Sequence, residues 1–147
     1  MQNGMNTSNG ETQIRELIAN RIEGTCAKDV DRASAGFSSD VVIFDVVGTL
    51  RRRGAQSARE RAREWFSSFD RRIDFEVAEL DLTVGDGVAF SSALNHVRGT
   101  TEAGALDMWW RCTTCYREVD GAWKIVHEHN SVPFDPATGK PSLDLRP

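Results

Sequence analysis

The sequence predicts an α+β domain in which N-terminal helices pack into a strongly bent, mainly antiparallel sheet that folds around them as a cone. Three observations predict it. Apolar residues recur at helical spacing only between about residues 11 and 69, alternation takes over from Ile73, and Gly85-Asp86-Gly87 and Asp120-Gly121 punctuate the second half as hairpin turns. A chain of 147 residues suits one domain with a real core and no need of covalent staples.

Residues 1–10 hold Asn, Gly, Ser and Thr without an apolar period and are expected to form a disordered N-terminal segment. The domain is expected over residues 11–134. Ile14, Leu17, Ile18, Ile22 and Cys26 make one helical stripe, with Arg15, Glu16, Asn20, Arg21 and Glu23 placed elsewhere around the helix. Asp29 or Asp31 can cap a short second helix reaching Phe37, and Ser38-Ser39-Asp40 leads into a strand. Ala58, Ala62, Trp65, Phe66 and Phe69 then give the strongest helical signal of the chain. Trp65 and Phe69 are core anchors or pocket walls.

Beyond Ile73 the parity of Phe75 and Val77 differs from that of Leu80 and Leu82, which requires a bulge near Ala78-Glu79. Strands follow over Val88 to Arg98, Leu106 to Val119 and Trp123 to Val132, with Gly99 to Gly104 as a looser connection. Residues 135–147, with Pro136, Gly139, Pro141 and Pro147, read as an irregular tail whose start Phe134 can tether to the core.

Composition excludes several classes of function. A net charge of −4 and a single basic run, Arg51-Arg52-Arg53, argue against a nucleic-acid binder, and the run reads as a solvated loop. No apolar stretch approaches the roughly 20 residues of a spanning helix, so no membrane is expected. Three cysteines, an odd number, and a polar start favour a reducing, cytoplasmic setting.

The chemistry concentrates on Val41-Val42-Ile43-Phe44-Asp45-Val46-Val47, where six of seven residues are β-branched or aromatic and one is an acid. Two readings account for Asp45: a buried acceptor of backbone hydrogen bonds, or a general base in an apolar pocket. His127 and His129 lie two apart and share a strand face, so a metal site with His96 is conceivable on spacing alone. Cys112 and Cys115, three apart on a strand, point to opposite faces and imply neither zinc nor a disulfide. No metal is expected.

The element order, the stretch Lys28-Asp29-Val30-Asp31 through Phe37 to Asp40, the strand ending Phe44-Asp45-Val46-Val47-Gly48 and the ending Trp123-Lys124-Ile125-Val126-His127-Glu128-His129-Asn130-Ser131 resemble the SnoaL-like and ketosteroid isomerase-like proteins. These belong to the nuclear transport factor 2-like superfamily of cystatin-like cones. The resemblance puts Asp45 where the isomerases carry their proton-abstracting aspartate. It also puts Arg21 where they carry a tyrosine, and Leu94, Thr114 and Asn130 where kinase association domains line their pocket with arginines.

The resemblance further points Val126, Glu128, Asn130 and Val132 into the cone and leaves His127 and His129 outside. A three-residue loop at Asp120-Gly121, with Gly121 as a bulge, is expected to bring Thr114, Tyr116, Val126, Glu128 and Asn130 onto one inner surface, whereas a two-residue loop would reverse which faces meet. The resemblance adds Phe90, Ser92, Leu94 and His96 to that surface. The implied activity is a cofactor-independent isomerase, cyclase or dehydratase acting on a small apolar or carbonyl-containing molecule. Asp45 and His96 would be catalytic, and Trp65, Phe69, Thr114, Tyr116, Glu128 and Asn130 would bind the ligand in a hydrophobic pocket. The alternative is a noncatalytic ligand-binding or dimerising association domain. Adjacent Trp109 and Trp110 supply apolar surface to both sheet faces, so a homodimer is expected.

Overall fold

The computed structural model describes residues 2–147; Met1, the first residue of the expected disordered segment, lies outside the described residues. Helix α1 spans Gln2–Cys26, so the chain is helical well before Glu11. Two local features allow this. The hydroxyls of Thr7 and Thr12 bond back to the carbonyls of Gly4 and Ser8, and Gly10 lets the backbone pass directly over Trp123, where a Cβ would stand 3.0 Å from the indole. Helix α2, Val30–Ser34, is capped by Asp29, whose carboxylate accepts the Arg32 N–H at 3.0 Å.

Strand β1, Phe37–Phe44, starts earlier than expected and stops one residue before Asp45. Arg52–Arg53 forms the short strand β2 against Val42 and Ile43, so this part of the basic run is paired backbone rather than a free loop. Helix α3 covers Ala55–Ser67, and β3 (Asp74–Val84), β4 (Val88–Thr101), β5 (Gly104–Val119) and β6 (Ala122–Ser131) follow as a meander. One six-stranded sheet has the order β2-β1-β6-β5-β4-β3, antiparallel except where β1 meets β6.

The expected bulge in β3 is present: the register slips between Ala78 and Asp81, and Glu79 has φ 53°. It keeps Phe75 and Val77 on the same inner face as Leu80 and Leu82 although their parity differs. The β5–β6 hairpin corrects the expected loop. Val119 pairs Ala122, so Asp120-Gly121 is a two-residue turn with both residues at positive φ, as a type I′ turn requires. A bulge at Val126, between the pairs Tyr116–Ile125 and Cys115–His127, then restores the inward aim of Glu128 and Asn130.

Two buried clusters fill the cone. One joins Ile14, Val41, Ile43, Tyr116, Trp123 and Ile125; the other joins Ala33, Phe66, Phe69, Ile73 and Val97, with Trp65, Phe75 and Trp110 packed against it. In the tail, Phe134 bridges to Pro141 and is two-thirds exposed, so it does not tether the chain to the core.

Candidate functional site

The inner wall of the cone carries a connected polar network. β6 contributes Glu128, only 1% exposed. Its Oε2 meets the Arg21 guanidinium at 2.8 Å, its Oε1 accepts the Asn130 side-chain N–H at 2.8 Å, and Arg61 approaches Oε1 at 3.6 Å. Asn130 in turn accepts the Trp110 indole N–H at 3.1 Å. Arg61 also forms an ion pair with Asp45, whose other oxygen accepts the Val46 N–H at 2.8 Å. The chain of contacts runs from Trp110 through Asn130, Glu128 and Arg61 to Asp45, with Arg21 as a branch over the Phe37 ring.

Helix geometry explains both arginines. Arg61 lies three residues after Ala58 and four before Trp65, and Arg21 lies three after Ile18 and four after Leu17. Each therefore sits on the apolar face of its helix, which corrects the placement of Arg21 off the α1 stripe. A cation on an apolar stripe was the readable signal for Arg61, which sequence reasoning missed.

Electrostatics hold the Arg21–Glu128 pair ionised. Burial alone pushes the Glu128 carboxyl up, but the charges of Arg21 and Arg61, the close approach of Arg21 and the bond from Asn130 outweigh it and bring it down to about 2. Burial likewise works against the Arg21 cation, and Glu128 more than offsets this, raising its pKa. The Cys112 thiol is pushed up to about 12 by burial and by the Glu128 charge, so it stays an inert SH.

The expected site residues divide into groups. Asp45, Glu128 and Asn130 join the network, and Trp65 stands edge-on to Phe69, Phe75 and Trp110 at centroid distances of 5.8, 6.2 and 6.0 Å. Thr114 pairs with Glu128 across the ladder, while Tyr116 is buried in the first cluster with its hydroxyl 3.1 Å from Ser91 Oγ. Burial raises the Tyr116 pKa against the Ser91 bond. A cavity of about 40 Å³ lies between Leu17, Ile18 and Arg21 of α1 and Ser91, Asn95, Thr114 and Tyr116 of the sheet.

His96 is not part of this site. β4 and β5 are joined by the two-residue turn Glu102-Ala103, which pairs Ser91 with Thr114 and His96 with Trp109. Odd-numbered β4 residues therefore face inward, and Phe90, Ser92, Leu94 and His96 lie on the outer face, the reverse of the expected parity. His127 and His129 are also outside, flanking Phe44, and the His127 ring bonds to the Val42 carbonyl at 2.7 Å. Among the described residues no group of three or more His, Cys, Asp or Glu side chains is placed to hold a metal ion.

Comparison with known proteins agrees with this architecture. An NTF2-like protein of unknown function from Pseudomonas putida KT2440 is 28% identical over 95% of this chain and 98% of its own, with a TM-score of 0.86. An uncharacterized protein with a cystatin-like fold from Caulobacter vibrioides is 20% identical over 88% of this chain and 93% of its own, with a TM-score of 0.72. A protein of unknown function from Mycobacterium tuberculosis is 18% identical over 88% of this chain and 75% of its own, with a TM-score of 0.74. No curated protein matches in sequence. The model of the SnoaL-like domain matches residues 14–135, nearly the whole folded unit, and the chain belongs to that family.

Proposed function

We propose that this small-molecule-binding domain holds an apolar ligand with a hydrogen-bond-accepting head, a carbonyl or carboxylate, and binds it without transforming it. The observation that carries this reading is the engagement of Asp45: one oxygen accepts the Val46 N–H and the other is paired with Arg61. A base must meet its substrate's proton, and here each oxygen already carries a donor, the Val46 N–H on one and the Arg61 guanidinium on the other, so proton abstraction would require the Arg61 pair to open.

Donors are what the network has to spare. Both oxygens of Asp45 have partners, Glu128 Oε1 accepts from Asn130 while its buried Oε2 is held by the charge of Arg21 without a hydrogen bond, and Asn130 spends its carbonyl on Trp110. Arg21 and Arg61 keep 27% and 20% of their side chains exposed and hold five donors each. An acceptor-headed ligand matches this surplus, with Trp65, Phe75 and Trp110 beside it as an apolar wall. A cavity of about 40 Å³ holds only water, against about 300 Å³ or more for a drug-sized ligand, so binding requires this space to widen.

Thermal shift with aromatic carboxylates, ketones and alcohols of matched apolar body tests the preference, and Arg21→Met should remove whatever shift the acceptor-headed probes give. Asp45→Asn is expected to cost about 1 to 3 kcal/mol by denaturant unfolding, since it breaks the Arg61 pair. An Asn variant as stable as the parent, or more stable, would return Asp45 to the role of a strained base.

The outer face near the open end of β4 supports a second copy of the chain as partner. Val88 and Phe90 are 56% and 57% exposed there, beside the outward Cys115, His127 and Phe44. A homodimer is the expected sedimenting species at micromolar concentration; a monomer would remove this reading. Three free thiols support a reducing, cytoplasmic setting.

A further inference from the structure

The outer sheet face carries a second cluster, separate from the cone interior. His96 on β4 lies between Glu76 of β3 and Asp107 of β5: its Nδ1 stands 2.8 Å from Glu76 Oε1 and its Nε2 2.7 Å from Asp107 Oδ1. An ionised carboxylate accepts and does not donate, so both contacts are hydrogen bonds at the same time only when both ring nitrogens carry protons. The ring is also clamped in its plane. Trp109 stacks on it at 4.1 Å and 7°, a geometry that favours a cation over the indole face.

Charges around the ring agree. Glu76 and Asp74 face it from β3, Arg98 from its own strand, Asp107 from β5 and Arg146 from the C-terminal tail. Asp74 pairs with Arg98, and Arg146 reaches Asp107 Oδ2 at 3.3 Å. Three carboxylates face two guanidiniums, so the group is neutral only with an imidazolium at its centre. Burial draws the His96 pKa down, yet the bonds to Glu76 and Asp107 and their charges outweigh it and raise it above the usual value. The His96 bond and Arg146 hold Asp107 below the usual carboxylate range.

We propose that protonated His96 is a pH-dependent staple that ties the edge strand β3 and, through Asp107 and Arg146, the C-terminal tail to the outer face of the sheet. Loss of the ring proton turns one N–H into a lone pair facing a carboxylate, and one of the two bonds must break. The sign follows from the raised pKa. The staple is fully made below the unfolded histidine value of about 6.5 and is lost as pH rises through the higher folded value. On the acid side the Asp107 bond persists below the usual carboxylate range. This inference does not depend on what the cone interior binds.

Nitrogen-15 NMR of the full chain between pH 5.5 and 9.5 tests it. The His96 ring is expected to keep the signature of two protonated nitrogens above the ordinary histidine value of 6.5, and the amides of residues 142–146 are expected to move with its midpoint. His127 and His129, assigned by their own Gln substitutions, are the internal references. In His96→Gln the tail amides should no longer follow that midpoint, and Asp107→Asn should lower the His96 midpoint and loosen the tail at every pH. A His96 ring in a neutral tautomer at pH 6, or one that titrates while the tail amides stay still, would overturn the staple. The parent titration decides the matter even if a variant fails to fold.

Discussion

Glu128→Gln is expected to lower the stability of the fold by about 3 to 5 kcal/mol, the cost of removing one partner from a buried ion pair. The amide keeps the shape and can still accept from Asn130, so the loss reports charge rather than packing. Arg21 and Arg61 would be left facing each other across a neutral group inside the cone. Urea unfolding measures the effect. A loss under about 1 kcal/mol would mean that water reaches both guanidiniums and compensates them.

The same residue fixes an acid limit. Its carboxyl is lowered from an ordinary 4.5 to about 2, so folding is favoured wherever the unfolded chain holds the proton and the folded chain does not. That contribution, roughly 3 kcal/mol, is complete above pH 4.5 and fades as pH falls toward 2. In Glu128→Gln the stability of the chain should therefore fall less steeply across that interval. Equal slopes in the two proteins would place the acid sensitivity elsewhere.

The sheet was legible wherever one strand carried its own phase. Phe75 and Val77 against Leu80 and Leu82 announced the β3 bulge, because a half-buried strand cannot change parity without an extra residue. Phase between strands was not legible. It depends on how many residues a turn holds, and Thr100-Thr101-Glu102-Ala103-Gly104 does not declare that only Glu102 and Ala103 stay unpaired. The resemblance set His96 in the pocket, and the two-residue turn at Glu102-Ala103 puts it on the outer face. At β6 the mistaken loop length at Asp120-Gly121 was cancelled by the Val126 bulge, so Glu128 and Asn130 face inward by a different route. For the site, Asp45 stood out by its apolar company. Its partner did not, because an arginine in the run Arg59-Glu60-Arg61 reads as solvated unless its place on the Ala58–Trp65 face is noticed.

Phe69→Ala is expected to cost about 3 to 5 kcal/mol, the range for a buried aromatic truncated in a core that cannot collapse. Phe69 is 3% exposed, stands edge-on to Trp65, and pairs through its backbone with Thr101. Its ring lies against Gly99 so closely that a Cβ there would stand 2.6 Å from Cδ1 and 2.8 Å from Cε1. Gly99 is a glycine because the ring occupies that space, and Gly99→Ala should cost about 1 to 3 kcal/mol by overpacking. The two substitutions share one volume, so they must not add. Removing the ring makes room for the methyl group, and the double variant should be clearly more stable than the sum of the two losses predicts. A pocket wall behaves otherwise: truncating a ring that borders open space leaves little void, and a methyl group at Gly99 pushes it freely aside. Denaturant unfolding of the four proteins of this cycle distinguishes the cases. Additive losses, or a Phe69→Ala cost below about 1 kcal/mol, would make Phe69 a ligand contact rather than the anchor that holds α3 on the sheet.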